Sequence, residues 1–201
     1  MATDPASSDH FEGDDFWEEN KSKILLYGSV LLIGLVGFGV FEYQRQTQKA
    51  AAQAAYAQAA TEAELQNVAK DFSGTVAAGD ASLQLADKLR GEKKYDEAVT
   101  VLREFIAKYP EHPLIAGGWI SLASTLELQG KADDALEIYQ QTATKFPNSF
   151  AAPLAMNAQA RLLAAKGKKD EAARLYEDVA ARYPESLYAR EAMRELRLLK
   201  R

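Results

Sequence analysis

The stretch "KFPNSF" (residues 145–150) decides how the chain is read, because it sets a proline and the polar pair Asn148 and Ser149 in the middle of helix-forming sequence. The same order of a base, an aromatic residue, a proline and polar residues recurs in "KYPEHP" (108–113) and "RYPESL" (182–187). Pro110, Pro147 and Pro184 follow one another at intervals of 37 residues, and Ala98, Ala135 and Ala172, twelve positions earlier, keep the same interval. Two residue types held in register over three copies define a repeat protein.

Each copy reads as two helices. In the middle copy, helix A is expected over about 113–129, Gly130 stops it, and helix B follows over about 132–146. Proline has no N–H and clashes with the preceding turn, so Pro147 ends helix B, and Ser149 is placed to cap the next helix. His112–Pro113 and Glu185–Ser186 hold the equivalent places in the other copies. The quoted stretch is therefore a hinge between helical hairpins.

Residues 24–41, "ILLYGSVLLIGLVGFGVF", form the one long uncharged apolar run. Eighteen residues at about 1.5 Å each cover roughly 27 Å, close to the hydrocarbon core of about 30 Å. Trp17 and Tyr43 flank the run where aromatic belts form, and Lys21, Lys23 and Arg45 are placed to snorkel. No polar stripe marks it as a core helix, so a membrane span is expected. A cleaved signal peptide is the alternative, with Ala50 to Ala52 as its cleavage site, but such a peptide starts with a short basic segment and this chain starts with an acidic one. Lys21 and Lys23 before the run nearly balance Arg45 and Lys49 after it, which leaves orientation open by charge alone.

Residues 44–72 contain neither proline nor glycine and are rich in alanine and glutamine, so a helix is expected there. Leu65, Val68, Ala69 and Phe72 make an apolar stripe at its far end. "SGTVAAGD" (73–80) reads as a break, with Asp80 as the cap of the next helix. The expected organisation is an acidic tail over 1–23, a span over 24–41, a helical stalk or packing helix with a linker over 42–80, and a repeat domain with a capping helix over 81–201.

From about residue 79 to 185 the sequence resembles the tetratricopeptide repeat (TPR) family. The middle copy carries the signature in Trp119, Leu122, Ala123, Leu126, Gly130, Ala135, Tyr139 and Pro147. The third carries it in Ala160, Leu163, Gly167, Ala172, Tyr176 and Pro184, and the first in Leu85, Ala86, Leu89, Tyr95, Ala98 and Pro110. The period of 37 exceeds the usual length of about 34, and Gly91 is displaced by two residues from the turn position. The resemblance implies an all-α fold, with a TPR-like α-solenoid of about three hairpins and a capping helix over 186–199 following the span. The layout as a whole also resembles the ancillary SecYEG translocon subunits, the YfgM-like proteins, through "FWEENKSK" (16–23), the glycine-containing span and "AAYAQAATEAE" (54–64). That likeness implies a bacterial inner-membrane protein with a cytoplasmic tail and a periplasmic repeat domain, beside the export channel and its chaperones.

Little in the sequence points to chemistry. Cysteine is absent, which removes disulfides, thiolate metal sites and cysteine nucleophiles. The only histidines are His10, in an acidic tail, and His112, before a proline. Asp96–Glu97, Asp133–Asp134 and Asp170–Glu171 recur at the start of each helix B, where they complement the helix dipole, so they are not read as acid–base pairs. "GKKD" at Gly167 lacks the rest of a phosphate-binding loop. No enzyme activity, cofactor or metal is expected. The net charge is −5; the first 23 residues hold seven acids and two bases, so the rest of the chain carries 22 of each. A neutral body lacks the field that binding to nucleic acid requires.

The resemblance places a protein-binding groove on the concave face formed by successive A helices. Its positions are Asp80, Leu83, Asp87 and Arg90 in the first copy, Gly117, Ile120, Ser124 and Glu127 in the second, and Leu154, Asn157, Arg161 and Ala164 in the third. The set lacks the Lys/Asn clamp that grips chaperone C-termini. With Asp80, Asp87 and Glu127 beside Leu83 and Ile120, it is expected to prefer segments that mix Lys or Arg with apolar residues, and Arg161 is expected to set their direction. Two functions follow as expectations. One is an envelope adaptor for protein partners, with Sec translocon subunits, periplasmic chaperones and unfolded envelope proteins as candidates. The other is a structural scaffold for envelope or outer-membrane assembly that acts by self-association.

Overall fold

A computed structural model describes residues 12–200, with side-chain environments from residue 20 onward. Asp4, Asp9 and His10 lie outside the described residues, as does Arg201. Among the described residues there are nine α-helices and no strand. The chain divides into two compact units, Met1–Gln48 and Lys49–Arg201.

The first unit is the greater part of α1 (Glu12–Gln58). It contains the apolar run, and it is the one described helix long and apolar enough to cross a membrane. Its side chains are uncovered: Tyr27 and Ile33, for example, are 70% and 69% exposed. A methyl group added at Gly28, Gly34, Gly37 or Gly39 would meet nothing within 4 Å, so these glycines serve no helix contact within the chain.

In the second unit the single helix expected over 44–72 is two helices. Helix α1 stops at Gln58 and α2 (Glu62–Asp71) starts after a new cap. The Thr61 hydroxyl accepts from the Glu64 amide at 3.2 Å, while the Glu64 carboxylate accepts from the amides of Ala60 and Thr61 at 2.8 and 2.9 Å. This reciprocal capping box satisfies donors that a continuous helix would have bonded internally. The last turns of α1 are packed: Ala52 is buried, and Ala55, Tyr56 and Ala59 lie on a cluster of Leu65, Val68, Ala81, Leu85, Leu89 and Ala98.

The start of the first repeat also differs from expectation. Helix α3 (Val76–Gly91) begins at Val76, and its cap is Thr75, whose hydroxyl accepts from the Ala78 amide at 3.2 Å. Asp80 lies one turn inside the helix and is not a cap, and the boundary expected at residue 81 falls within α3. Gly74, at φ +86°, makes the reversal that brings Thr75 into place.

The remaining helices are α4 (Tyr95–Lys108), α5 (Ile115–Leu128), α6 (Ala132–Lys145), α7 (Ala151–Ala165), α8 (Lys169–Arg182) and α9 (Leu187–Leu199). Helices α3/α4, α5/α6 and α7/α8 form three hairpins, α2 packs on α3, and α9 closes the series against α7 and α8. The A helices α5, α7 and α9 touch in succession and so make the inner face; the B helices lie outside. Ala86, Ala123, Ala135, Ala160 and Ala172 are all buried. Their small side chains let paired helices approach, and Leu102, Leu122, Leu126 and Tyr139 fill the space between hairpins.

The turn within each hairpin obeys the 37-residue period closely. Gly130 and Gly167 have φ of +77° and +79°, and the equivalent place in the first copy is held by Lys93 at φ +62°. In each turn the next amide reaches back to a carbonyl five residues earlier: Lys94 to Leu89, Lys131 to Leu126 and Lys168 to Leu163, at 2.8 to 2.9 Å. This is the Schellman arrangement, which ends a helix on a left-handed residue. The glycine sought at the turn is replaced by a lysine; Gly91 is an ordinary last residue of α3.

Between hairpins, Tyr109, Phe146 and Tyr183 end α4, α6 and α8, and the prolines follow at once. The aromatic residue of the motif ties successive hinges together. The Tyr183 hydroxyl donates to the Pro147 carbonyl at 2.9 Å, and the Tyr109 hydroxyl accepts from the Gly74 amide at 3.4 Å. Phe146, which has no hydroxyl, packs edge-on against Trp119. Ser186 caps α9 through the Ala189 amide, and Ser149 accepts from the Ala151 amide.

Candidate functional site

The inner face is built by one side of α3, α5, α7 and α9. Leu83, Ile120, Ser124 and Leu154 are half-buried; Leu83 and Ile120 pack against the core, and the Ser124 hydroxyl donates to the Ser121 carbonyl at 3.1 Å. Gly117 and Ala164, also half-buried, add no reach of their own. Asn157 does not line an open surface: it is buried, and its amide donates to the Tyr188 carbonyl at 2.9 Å, joining α7 to the start of α9.

The charged residues of this face pair with one another. Arg90 donates to Asp87 at 2.9 Å within α3. Arg161 on α7 donates twice to Glu127 on α5, at 2.7 and 2.8 Å, and the Tyr139 hydroxyl reaches the same carboxylate from α6 at 3.4 Å. A two-point guanidinium–carboxylate pair is the strongest geometry open to these groups. The Arg161 hydrogen bonds hold the Glu127 carboxyl below the usual carboxylate range, against the opposing effect of burial. Burial, with the Glu127 charge beside it, pushes the Tyr139 phenol up to about 12. Burial and then the Glu195 carboxylate raise the Tyr176 phenol one repeat further on. Glu127 therefore does not stand as a free acid awaiting a basic ligand, since Arg161 is its partner; Asp87 remains largely exposed.

Asp80 faces two neighbours. Its carboxylate lies 3.6 Å from His112 Nε2, and its charge adds to burial in raising the phenol of Tyr56, on the last turns of α1. His112 is buried: Nδ1 accepts from the Leu114 amide at 3.1 Å, which places the ring hydrogen on Nε2, where it donates to the Val76 carbonyl at 3.1 Å. The ring lies against Gly79, where an added methyl group would come within 2.6 Å of it, and edge-on to Phe105. His112 is thus a packing residue that locks the first hinge onto α3. Neither Gly79 nor Gly118, which faces Phe105 in the same way, shows itself in sequence as anything other than a weak helix residue.

The paired acids at the helix B starts have a second use. Gln129 donates to Asp96 at 2.8 Å, and Lys166, in the equivalent place, pairs with Asp133. These contacts link each hairpin to the one before it at the turn edge. No group of three or more His, Cys, Asp or Glu side chains capable of holding a metal ion occurs among the described residues.

On the outer face, open grooves lie between successive B helices. The groove between α2 and α4, about 550 Å³, has Leu85, Leu89 and Val101 among its lining and Ser82 where the next repeat has Trp119. The smaller Ser82 is offset by Phe105, which occupies the place of Thr142 in the next repeat.

An all-helical stack of hairpins, each turned by a left-handed residue and hinged by an aromatic–proline pair, is a TPR-like solenoid. Residues 14–197 match the model of the Tetratricopeptide repeat-like domain, and the chain belongs to that family. None of the curated proteins compared with the chain matches it. Among solved structures it is similar to BtubC (BKLC) from P. vanneervenii, with a TM-score of 0.56 and 19% identity over 77% of this chain; it spans 65% of that protein's length. It is also similar to a putative kinesin light chain from Podosopora anserina with nearly identical TPR-like repeats, with a TM-score of 0.56 and 18% identity over 78% of this chain and 84% of the other. At these identities the likeness is one of fold.

Proposed function

We propose that the protein is a membrane-anchored adaptor of the cell envelope, which holds protein partners on its repeat domain beside the Sec translocon, in export or in handover to periplasmic chaperones. The observation that carries this reading is the union in one chain of an uncovered apolar helix of spanning length with a TPR-like domain. TPR-like folds suggest protein–protein interaction, and the translocon assignment draws on the resemblance of the layout to the YfgM-like subunits. In this reading the acidic tail is cytoplasmic and the repeat domain periplasmic.

The inner face is the proposed partner surface. Glu127 is engaged by Arg161, whereas Asp87, paired with Arg90 within α3, stays 69% exposed near the half-buried Leu83, Ile120 and Leu154. Partner segments are therefore expected to set apolar residues beside a base, and their capture to weaken modestly as salt rises. Crosslinking of the full chain in native membranes, followed by capture and identification, tests the function. Translocon or chaperone subunits are expected; self-crosslinks alone would favour the scaffold, and a reporter fused after Arg201 that reads as cytoplasmic would overturn the orientation.

A further inference from the structure

The loops that lead from each B helix to the next A helix lie in the same repeat phase and form one edge of the solenoid. At that edge Val76, Leu114, Phe150 and Leu187 are 54%, 52%, 63% and 72% exposed. Val76, Phe150 and Leu187 occupy the first, third and fourth places of one phase of the 37-residue period, with Pro113 in the second and Leu114 next to it. They are four of the seven large apolar side chains exposed in the repeat domain among the described residues. Single exposed apolar residues are ordinary, but a row repeated at four helix starts is not.

Helix physics does not ask for them. Helix starts favour Ser, Thr, Asp or Asn, whose side chains bond the free amides. In these loops Thr75, His112, Ser149 and Ser186 accept the free amides, so Leu114 and Phe150, at the cap positions of α5 and α7, make no such bond. Neither residue belongs to the buried core, so the fold gains little from either. The opposite edge, at the turns within hairpins, has the polar sequence Glu92, Lys93, Lys94 in the first copy and Lys166, Gly167, Lys168 in the third.

The same loops hold charge of the complementary kind for phosphate headgroups. Lys108, Lys145 and Arg182 end α4, α6 and α8 in register, Lys108 beside Glu104 at 3.3 Å, Lys145 over the Trp119 ring and Arg182 over the Tyr183 ring, with Glu111 and Glu185 in the loops that follow. The bases also suit the helix C-termini, which accounts for their position; the apolar row beside them is what the dipole does not explain. Aromatic and aliphatic side chains interleaved with bases on long stems match the headgroup–acyl boundary of a bilayer.

Chain length adds a second argument. Ala52, buried in the repeat domain, follows Phe41 at the end of the apolar run by eleven residues, which span at most about 40 Å when fully extended. A domain tethered so closely meets the bilayer surface at high effective concentration, so weak insertion suffices. We propose that this loop edge is a second, peripheral membrane contact, on which Phe150 and Leu187 enter the headgroup region and Lys108, Lys145 and Arg182 meet lipid phosphates. The proposal rests on the anchored reading given above.

The absence of cysteine allows single-site nitroxide labels without further changes. Full-length chains labelled at Val36→Cys, Lys131→Cys, Phe150→Cys or Leu187→Cys would be placed in nanodiscs containing about one-third phosphatidylglycerol. Relaxation by oxygen and by a water-soluble nickel complex is then compared, with helical content confirming the fold. The 36, 150 and 187 labels are expected to favour oxygen, and the 131 label nickel. In discs of phosphatidylcholine alone, the 150 label should shift toward nickel. A 150 label as water-accessible as the 131 label, with the 36 label buried, overturns the edge contact and leaves the anchor intact. If the 36 label is also water-accessible, the anchor fails and the edge contact with it. Protection of the 150 label only after a soluble protein is added would make the edge a protein-docking face and would equally overturn the proposal.

Discussion

Arg161 grips Glu127 through two hydrogen bonds of 2.7 and 2.8 Å, fastening the third hairpin to the second across the inner face. Because the Arg161 side chain is 57% exposed, solvent screens the pair, and a double-mutant cycle with Arg161→Ala and Glu127→Gln should return a coupling of about 0.5–1 kcal/mol. The Glu127 carboxyl is held below its ordinary value of about 4.3, so its contribution is present above that pH and is lost as pH falls through the folded-state value. Thermal melts below about pH 4.3 should therefore fall less steeply for Glu127→Gln than for the parent. Identical acid limbs would show that the pair does not stabilise the fold.

Tyr139 gives the alkaline counterpart. Its phenol is raised to about 12, first by burial and then by the Glu127 charge. A raised phenol keeps its stabilising effect below the unfolded value of about 10 and loses it as pH rises toward the folded one. In Tyr139→Phe, the loss of stability between about pH 10 and 12 should be smaller than in the parent. A spectrophotometric titration of the folded parent that shows every tyrosine ionising near its ordinary value would contradict the buried environment.

Close approach sets a third expectation. A methyl group on Gly118 would lie 2.5 and 2.8 Å from two ring atoms of Phe105, which is only 1% exposed. Gly118→Ala should therefore destabilise the domain by about 1–3 kcal/mol despite alanine's better helix propensity, and Phe105→Leu in the same chain should recover part of the loss. A Gly118→Ala protein with an unchanged or raised Tm would mean that α4 and α5 have room to separate.

Lys93 holds a left-handed turn that the other two repeats give to Gly130 and Gly167. A side chain there costs about 1 kcal/mol, partly offset by the greater freedom of glycine in the unfolded chain. Lys93→Gly should raise stability by about 0.5 kcal/mol in denaturant melts, and Gly130→Lys should lower it by a similar amount. Opposite signs would mean that the turns are not equivalent.

The features legible in sequence were those that the chain repeats. Pro110, Pro147 and Pro184, the buried alanines and the turn glycines announce hairpins because each breaks or tightens a helix by its own stereochemistry. The break at Thr61 was legible in principle, since Thr61 and Glu64 spell a capping box; the alanines around it, free of proline and glycine, outweighed that signal. Asp80 and Thr75, five residues apart, fit the cap role equally well in sequence, and the structure gives it to Thr75. The His112–Gly79 and Phe105–Gly118 contacts join residues that neither share a helix face nor repeat, so no local pattern announces them. The pairing of Glu127 with Arg161 spans 34 residues and depends on which faces of α5 and α7 meet. The family resemblance puts both residues at groove positions, but no local pattern shows that they pair.

A partner held on the proposed inner face, in a protein kept at a membrane by its apolar helix, lies within reach of a crosslinker placed on that face. The most direct measurement replaces Ile120 with a photo-crosslinking phenylalanine analogue in the full chain, with Glu137 on the outer side of α6 as the comparison site, and irradiates native membranes. Discrete adducts of higher mass are expected from position 120, absent from position 137, and remaining with the membrane fraction after a high-salt wash. No adduct at position 120, or the same adducts from both positions, would contradict a partner on the inner face.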